Sequence, residues 1–225
     1  MNEIKKHFSK TVGDYDTVAN RVVFKNDELH NELVKAIPFD KNKMLNILDL
    51  GCWTGHWIDL VAQSFPKSHI TGIDFSPSMI EKSKKNLLNF SDRIDLIEID
   101  FNDYEFNKKF DVVISAVAVH NITHKQKEIL FKKIFNSLNK NWVFINADFY
   151  ESESKIINDN LKRLYKDFLK KNLYWDELEV WLRHAFKEDM PMKLSEQSDI
   201  LKRTGFSDFK LIWLFNNEAV YIVNK

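Results

Sequence analysis

The chain has 225 residues, with 33 Lys plus Arg balanced by 33 Asp plus Glu. That length buries one substantial core and fits a single α/β domain over 1–225, with no room for a second full domain. Balanced charge without a basic run gives no push toward nucleic acid and favours a small-molecule partner, while Cys52 as the only cysteine excludes an intrachain disulfide and a cysteine-cluster metal site.

The segment Met1–Lys6 lacks the apolar stretch of a secretory signal, and no run approaches the roughly 20 apolar residues of a membrane helix. A cytoplasmic protein without a membrane partner is expected, monomer or homodimer. Residues 1 to about 40 read as a helical cap. From Asn46 onward short apolar runs alternate with longer amphipathic ones, the pattern of parallel strands joined by crossover helices. Strands are predicted at Asn46–Leu50, His69–Asp74, Arg93–Asp100, Phe110–Ser115 and Trp142–Asp148, and helices at His56–Phe65, Pro77–Asn89 and His124–Asn139. Ser76 ahead of Pro77 supplies a cap followed by proline at the first helical position.

Residues from about 151 to 190 change character. Glu151–Lys187 is richly charged, free of glycine and proline, and carries Leu161, Leu164, Tyr165, Phe168 and Leu169 at helical intervals, which predicts a helical insertion or lid. The tail predicts a helix over Ser195–Thr204 capped by Gly205, then strands Lys210–Phe215 and Glu218–Val223 around an Asn216-Asn217 hairpin turn. The whole predicts a doubly wound, mostly parallel seven-stranded sheet with its last strand antiparallel and helices on both faces.

The strongest local signal is Asn46-Ile47-Leu48-Asp49-Leu50-Gly51-Cys52-Trp53-Thr54-Gly55-His56, a strand running through two glycines into a helix. Glycine permits turn angles closed to other residues and lets backbone approach a ligand. In an open parallel sheet the ligand crevice lies beyond the carboxyl ends of the strands. Asp74 ends the second strand, where a carboxylate accepts ribose hydroxyls, and Asp100-Phe101 ends the third, offering a carboxylate to an adenine amino group and a ring to its face. Three successive strands ending in aspartate suit an adenosine with little negative charge and would repel a pyrophosphate, which disfavours NAD.

These features resemble the class I S-adenosylmethionine-dependent methyltransferase family. The resemblance runs from about Phe8 to Lys225 and rests on Leu48–Gly55, Gly72-Ile73-Asp74-Phe75-Ser76-Pro77-Ser78-Met79-Ile80, Asp100-Phe101 and Phe110–Ser115. It implies S-adenosylmethionine as cofactor and S-adenosylhomocysteine as product. Asp49, Gly51, Cys52 and Gly55 would shape the loop near the methionine part, Asp74 and Phe75 would face the ribose, Met79 would pack on adenine, and Asp100-Phe101 would hold its edge. Ser115 and Ala116 would lie near the methionine end. Phe8 and Tyr15-Asp16 look like the segment that caps the cofactor in relatives, so Tyr15 is either a cofactor contact or a helix-packing residue. Two departures stand out: Trp53 replaces a usual glycine, and Asn139-Lys140-Asn141 replaces a proline-glycine-glycine turn.

On the acceptor side His120 follows the fourth strand and is the first candidate for a general base, against the alternative that it bonds backbone and packs the loop. Asp148, at the end of the fifth strand, is a candidate to orient an amine or water, or a structural cap. Tyr150, Tyr165, Trp181 and His184, with Tyr174 and Trp175, are candidates for an acceptor wall, or for the insertion's own core. An Asp148, His120, His184 metal site is a weak signal, and no metal is predicted. Methylation of an oxygen, nitrogen or sulfur atom of a small molecule leads; modification of tRNA or protein, or an inactive cofactor-binding scaffold, are the alternatives.

Overall fold

The computed structural model describes residues 15–225, the side chains of Tyr15, Asp16 and Asp176 aside; Phe8 and the Tyr15 side chain therefore lie outside the described residues. Two helices, α1 (Tyr15–Val22) and α2 (Asn26–Lys35), precede strand β1 (Asn46–Leu50). Then come α3 (His56–Ser64), β2 (His69–Asp74), α4 (Pro77–Asn86), β3 (Ile94–Glu98), β4 (Phe110–Ala116), α5 (His124–Ser137) and β5 (Leu138–Glu151). The sheet order along the main path is β3-β2-β1-β4-β5-β8-β7, where β7 is Ser207–Phe215 and β8 is Glu218–Asn224. The first five strands pair in parallel, and β8 runs antiparallel to both β5 and β7. A two-residue β6 (Met192–Lys193) pairs the end of β5 and stands off this seven-strand path.

Alternation along the central strands feeds two separate cores. Ile47, Val112, Ile114 and Ile145 face a cluster with Leu29 and Leu33 of α2 and Trp57, Ile58 and Val61 of α3. Their neighbours Leu48, Val113 and Phe144 face Phe131 and Ile134 of α5 and Leu201 of α8 (Leu194–Thr204). Successive side chains in a strand point to opposite faces, so strands covered on both sides must be apolar nearly throughout; all seven residues of β4 are buried. The order reverses between β1 and β4, which opens the crevice there.

The 151–190 insertion consists of α6 (Lys155–Asn172), α7 (Trp175–Arg183) and a π-helical turn over His184–Glu188. Its Tyr165, Leu169, Leu178 and Trp181 pack with Val18 and Val22 of α1 and with Met79. Arg21 on α1 donates from Nη2 to Glu177 Oε2 at 2.6 Å and from Nε to the Asn172 carbonyl at 2.7 Å, which fixes the insertion to the N-terminal helices.

Local sequence explains most boundaries. Ser76 Oγ accepts from the Met79 N–H and Pro77 opens α4, Gly205 caps α8 at φ +116°, and Asn216 alone of the hairpin pair adopts a positive φ, +52°. Asn141 likewise takes φ +66°, so asparagine supplies the left-handed angle in place of glycine. β5 is longer than the predicted Trp142–Asp148, because its ends extend along β4 and along β6. The edge strand β3 is shorter than Arg93–Asp100.

Glu218 at the start of β8 is fully buried, with Oε1 accepting the Phe24 N–H at 2.8 Å and Oε2 lacking a partner among the described residues. Burial pushes its pKa up to about 8. A folded pKa above the unfolded value of 4.5 means that stability is fully present below pH 4.5 and declines as pH rises to about 8. Glu218→Gln keeps the acceptor and removes the charge. It should flatten that decline and exceed wild type by a few kcal/mol above pH 8, at about 1.4 kcal/mol per unit; unfolding curves from pH 4 to 9 check it, and parallel curves would refute the assignment.

Candidate active site

The turn after β1 is built from left-handed backbone. Gly51, Trp53 and Gly55 have φ +78°, +50° and +78°. A Cβ on Gly55 would sit 2.4 Å from Ser83 Oγ and 2.7 Å from Leu87 Cδ1, and one on Gly51 would sit 2.7 Å from Ala118 Cβ. Both glycines are therefore required twice over, by angle and by space. Gly55→Ala should cost about 1–3 kcal/mol in chemical denaturation, combining left-handed strain with overpacking that Ser83 and Leu87 relieve only in part; no change in midpoint would show that α4 yields freely.

Trp53 occupies the third left-handed position without being glycine. Its N–H donates to Asp74 Oδ2 at 3.0 Å and its indole Nε1–H donates to the Ala116 carbonyl at 3.3 Å. Trp53 is the residue that all three cavities of this site share.

The first of these cavities is bounded by Gly51, Asp74, Phe75, Asp100, Phe101 and Ala118, together with Asn102, Asn121, Ile122 and Gln126. Asp74 is 3% exposed, and its Oδ1 accepts the Ser76 N–H at 2.8 Å. Burial is the chief cause that raises its pKa to about 6, against the N–H groups of Ser76 and Trp53, with Asp100 adding to the rise. Asp100 Oδ1 accepts from the Asn102 backbone and side chain at 3.0 and 2.9 Å, which fixes the loop after β3.

The second cavity lies on the other side of the turn, against α1 and α2, and is lined by Cys52, Thr54, His56, Ala116 and Val117 with Asn20, Asn26 and His30. His30 Nδ1 is buried without a hydrogen-bond partner among the described residues. Burial, helped by His56, lowers its pKa to about 4, so the ring is neutral.

The third cavity shares Trp53 and Val117 with the second and is lined by His120, Phe149, Tyr165, Trp181, His184 and Asp189. Val117, a β-branched residue at φ +53°, marks the exit of β4 as a strained corner. His120 follows in a 3₁₀ turn, with Nδ1 2.5 Å from Asp148 Oδ1 and its backbone N–H donating to Asp148 Oδ2 at 2.9 Å. Burial disfavours the imidazolium, but Asp148 and Asp189 outweigh it and the net pKa is raised. Asn121 Nδ2 lies 3.1 Å from His120 Nε2.

The structure thus brings Gly51, Asp74, Phe75, Asp100 and Phe101 around one cavity and Cys52 and Ala116 around the next. Four other expected contacts stand behind the walls. Asp49 is wholly buried beneath the turn, where burial first and Asp74 second hold its carboxyl well above the usual range. Gly55 packs on α4, Met79 is wholly buried among the insertion's apolar residues, and Ser115 Oγ donates to the Leu50 carbonyl at 3.1 Å. On the acceptor side Tyr165, Trp181 and His184 line the third cavity. Tyr150 turns aside to donate its hydroxyl to the Asn216 carbonyl. Tyr174 and Trp175 are about three-quarters exposed and do not reach it. Asp189, which sequence reasoning passed over, completes that cavity, and Asn121 and Gln126 join the first.

Residues 41–204 match the family model described as a methyltransferase domain. A carboxy-S-adenosyl-L-methionine synthase of Nautilia profundicola is 27% identical over 216 residues, covering 94% of this chain and 90% of that protein. A malonyl-(acyl-carrier protein) O-methyltransferase of Acetivibrio thermocellus is 33% identical over 112 residues, half of this chain and 38% of that one. The crystal structure of human N-acetylserotonin methyltransferase in complex with SAM superposes with TM-score 0.68 at 16% identity, over 98% of this chain and 56% of that one. Since the family model spans well over half of its length, the chain belongs to the class I S-adenosylmethionine-dependent methyltransferases.

Proposed function

We propose that the chain transfers the methyl group of S-adenosylmethionine to an oxygen, nitrogen or sulfur atom of a small molecule seated in the His120 cavity. The observation that carries this reading is the buried His120–Asp148 pair, whose ring borders a cavity that shares Trp53 and Val117 with the cofactor side. The cofactor fits the residues present. Asp74 keeps acceptor lone pairs for ribose hydroxyls beyond its two backbone bonds, and the Phe75 and Phe101 side chains border the same space. The Gly51 backbone closes in where a Cβ would collide, and the orphaned His30 Nδ1 joins Asn20, Asn26, Thr54 and His56 as polar partners for the methionine end.

When bound, the sulfonium supplies an already activated methyl. The chain's share is alignment, exclusion of water and handling of the acceptor's proton. Trp53 and Val117 set the passage between the two sides, the insertion's Tyr165 and Trp181 cover the cavity, and Asp148 orients His120 toward the acceptor.

A second reading comes from the relatives named carboxy-S-adenosyl-L-methionine synthase, which match over most of their length. Charge argues against it. Among the described residues, no lysine or arginine lines the three cavities, whereas Asp74, Asp100 and Asp189 do, so a carboxylated cofactor would find no ammonium or guanidinium to receive its added charge. Incubation with methyl-labelled cofactor and a panel of phenols, thiols and amines, read by mass spectrometry, decides. Labelled acceptor with S-adenosylhomocysteine is the expected product; a carboxylated cofactor instead would overturn the methyl-transfer reading.

A further inference from the structure

The third cavity ends on three groups from two separate segments. One ligand atom from each of His120, His184 and Asp189 lies within 4.8 Å of the other two. His184 Nε2 is 3.3 Å and His120 Nε2 is 3.7 Å from Asp189 Oδ1. Side-chain exposures are 3, 5 and 9% for His120, His184 and Asp189. Despite these approaches, Asp189 Oδ1 makes no hydrogen bond of acceptable geometry among the described residues. Asp189 Oδ1 therefore faces two ring nitrogens without a hydrogen bond to either.

The other side of each ring is committed. Asp148 Oδ1 holds His120 Nδ1, and Glu188 Oε2 lies 3.3 Å from His184 Nδ1. Asp148 is fully engaged, since its two oxygens also accept the N–H groups of His120 and Phe149. A carboxylate on Nδ1 leaves Nε2 with the lone pair and raises its basicity, which is how metal-bound imidazoles are oriented. The Asn121 amide at 3.1 Å from His120 Nε2 meets that lone pair now and would have to yield it.

The backbone is locked to the same end. The π turn puts His184 and Glu188 one wide turn apart, with the Asp189 N–H donating to the His184 carbonyl at 3.0 Å, and single π turns concentrate at functional positions. The Met190 N–H donates to the His120 carbonyl at 2.8 Å, and the buried Lys127 ammonium donates to the Met190 carbonyl. Asp148, Glu188 and Asp189 place three carboxylates around two imidazoles, faced by Lys127 and by the half-exposed Arg183 on Glu188. Buried carboxylates gather where positive charge is to be held.

We infer that His120, His184 and Asp189 are the protein ligands of a divalent first-row transition cation, whose remaining coordination positions face the cavity and take the acceptor's nucleophilic atom. Two imidazoles and one carboxylate suit Zn²⁺, Fe²⁺ or Co²⁺ rather than Mg²⁺ or Ca²⁺. Bonds of about 2.1 Å set ligand atoms roughly 3.0–3.4 Å apart, close to the 3.3 and 3.7 Å seen. The inference rests on the reading that this cavity holds the methyl acceptor. A hydroxyl or thiol on the cation gives up its proton to solvent. The resulting anion then forms the new bond to carbon as the sulfur–methyl bond breaks, its electron pair staying on sulfur. Asp189 replaces Asp148 in the trio that the ligand types in the sequence had suggested, because Asp148 serves the far side of the His120 ring.

The test is titration of chelator-treated protein with Co²⁺, read by visible absorption and calorimetry, with Zn²⁺ as competitor. One Co²⁺ per chain at micromolar affinity or tighter is expected, displaced by Zn²⁺ and weakened at least tenfold in both Asp189→Asn and His184→Gln, with unfolding midpoints confirming that the variants fold. Absence of stoichiometric binding by wild type, or equal binding by both variants, overturns the site. Cofactor affinity and methyl transfer are measured separately on the same samples. Cation binding that leaves the methyl-transfer assay blank keeps the site and rejects the acceptor reading, whereas full turnover in chelator keeps the methyltransferase reading and rejects the cation's role.

Discussion

Replacing His120 by alanine should lower methyl transfer by about 10²–10⁴-fold, the usual weight of a group that takes the acceptor's proton or holds the cation that acidifies it, while the dissociation constant of the cofactor stays within about twofold. The two effects separate because His120 borders only the third cavity, whereas the Asp74 and Cys52 walls belong to the other two. A merely structural histidine would behave differently. Its loss would strip Asp148 of a partner and loosen the 118–121 turn, whose Asn121 amide donates to the Ala118 carbonyl at 3.3 Å and whose Ala118 borders the first cavity. Cofactor affinity would then fall along with turnover. Calorimetry with S-adenosylhomocysteine and initial rates at saturating cofactor distinguish these outcomes. Asp148→Asn keeps a hydrogen-bonding oxygen but removes the charge on Nδ1, so it should reduce kcat by less than the alanine variant does and leave KM for the cofactor alone. Equal turnover in His120→Ala and wild type would reject any chemical role for the ring.

Much of this arrangement is legible in the sequence because it follows from strand order. β1 and β2 begin and end at the predicted residues, since their apolar runs are bounded by polar residues and by the glycine turn. Asp74 and the Asp100 loop follow neighbouring strands β2 and β3, so their convergence needs only the parallel sheet. The His120–Asp148 bond is of the same kind, joining the turn after β4 to the adjacent strand β5 across 28 residues of chain. What sequence periodicity could not place depends on tertiary contacts. Trp53 reads in sequence as a ring that either points away from the cofactor or walls the pocket, and φ +50° with the reach of its indole to Ala116 gives its placement. Asp189 is positioned by a π turn, which has no spacing signature distinct from an α-helix in so short a segment. Asp49 heads the motif, yet it lies wholly buried beneath the turn, where burial and Asp74 raise its pKa, and the cavities are lined by its neighbours instead.

Asp74→Ala should weaken cofactor binding by more than tenfold, because two hydroxyl donors lose a charged acceptor and such bonds contribute roughly 1.5–3 kcal/mol each. The substitution also leaves the Trp53 and Ser76 N–H groups without the oxygens they now use, so a loss of affinity alone does not prove ribose contact. A cofactor analogue lacking the ribose hydroxyls resolves this. Wild type should discriminate strongly against the analogue, and the variant, having no carboxylate to lose, should bind both alike. Undiminished discrimination in the variant would reject the ribose assignment. The pH dependence supplies an independent check. With the free-protein pKa near 6, the carboxylate that accepts the hydroxyls is formed above that pH and protonated below it. Wild-type affinity should therefore be level above pH 7 and fall toward a tenfold loss per unit below about 6. In Asp74→Ala that acid limb should vanish, leaving a weak and flat profile, if the group whose burial raises the pKa is also the proposed ribose acceptor.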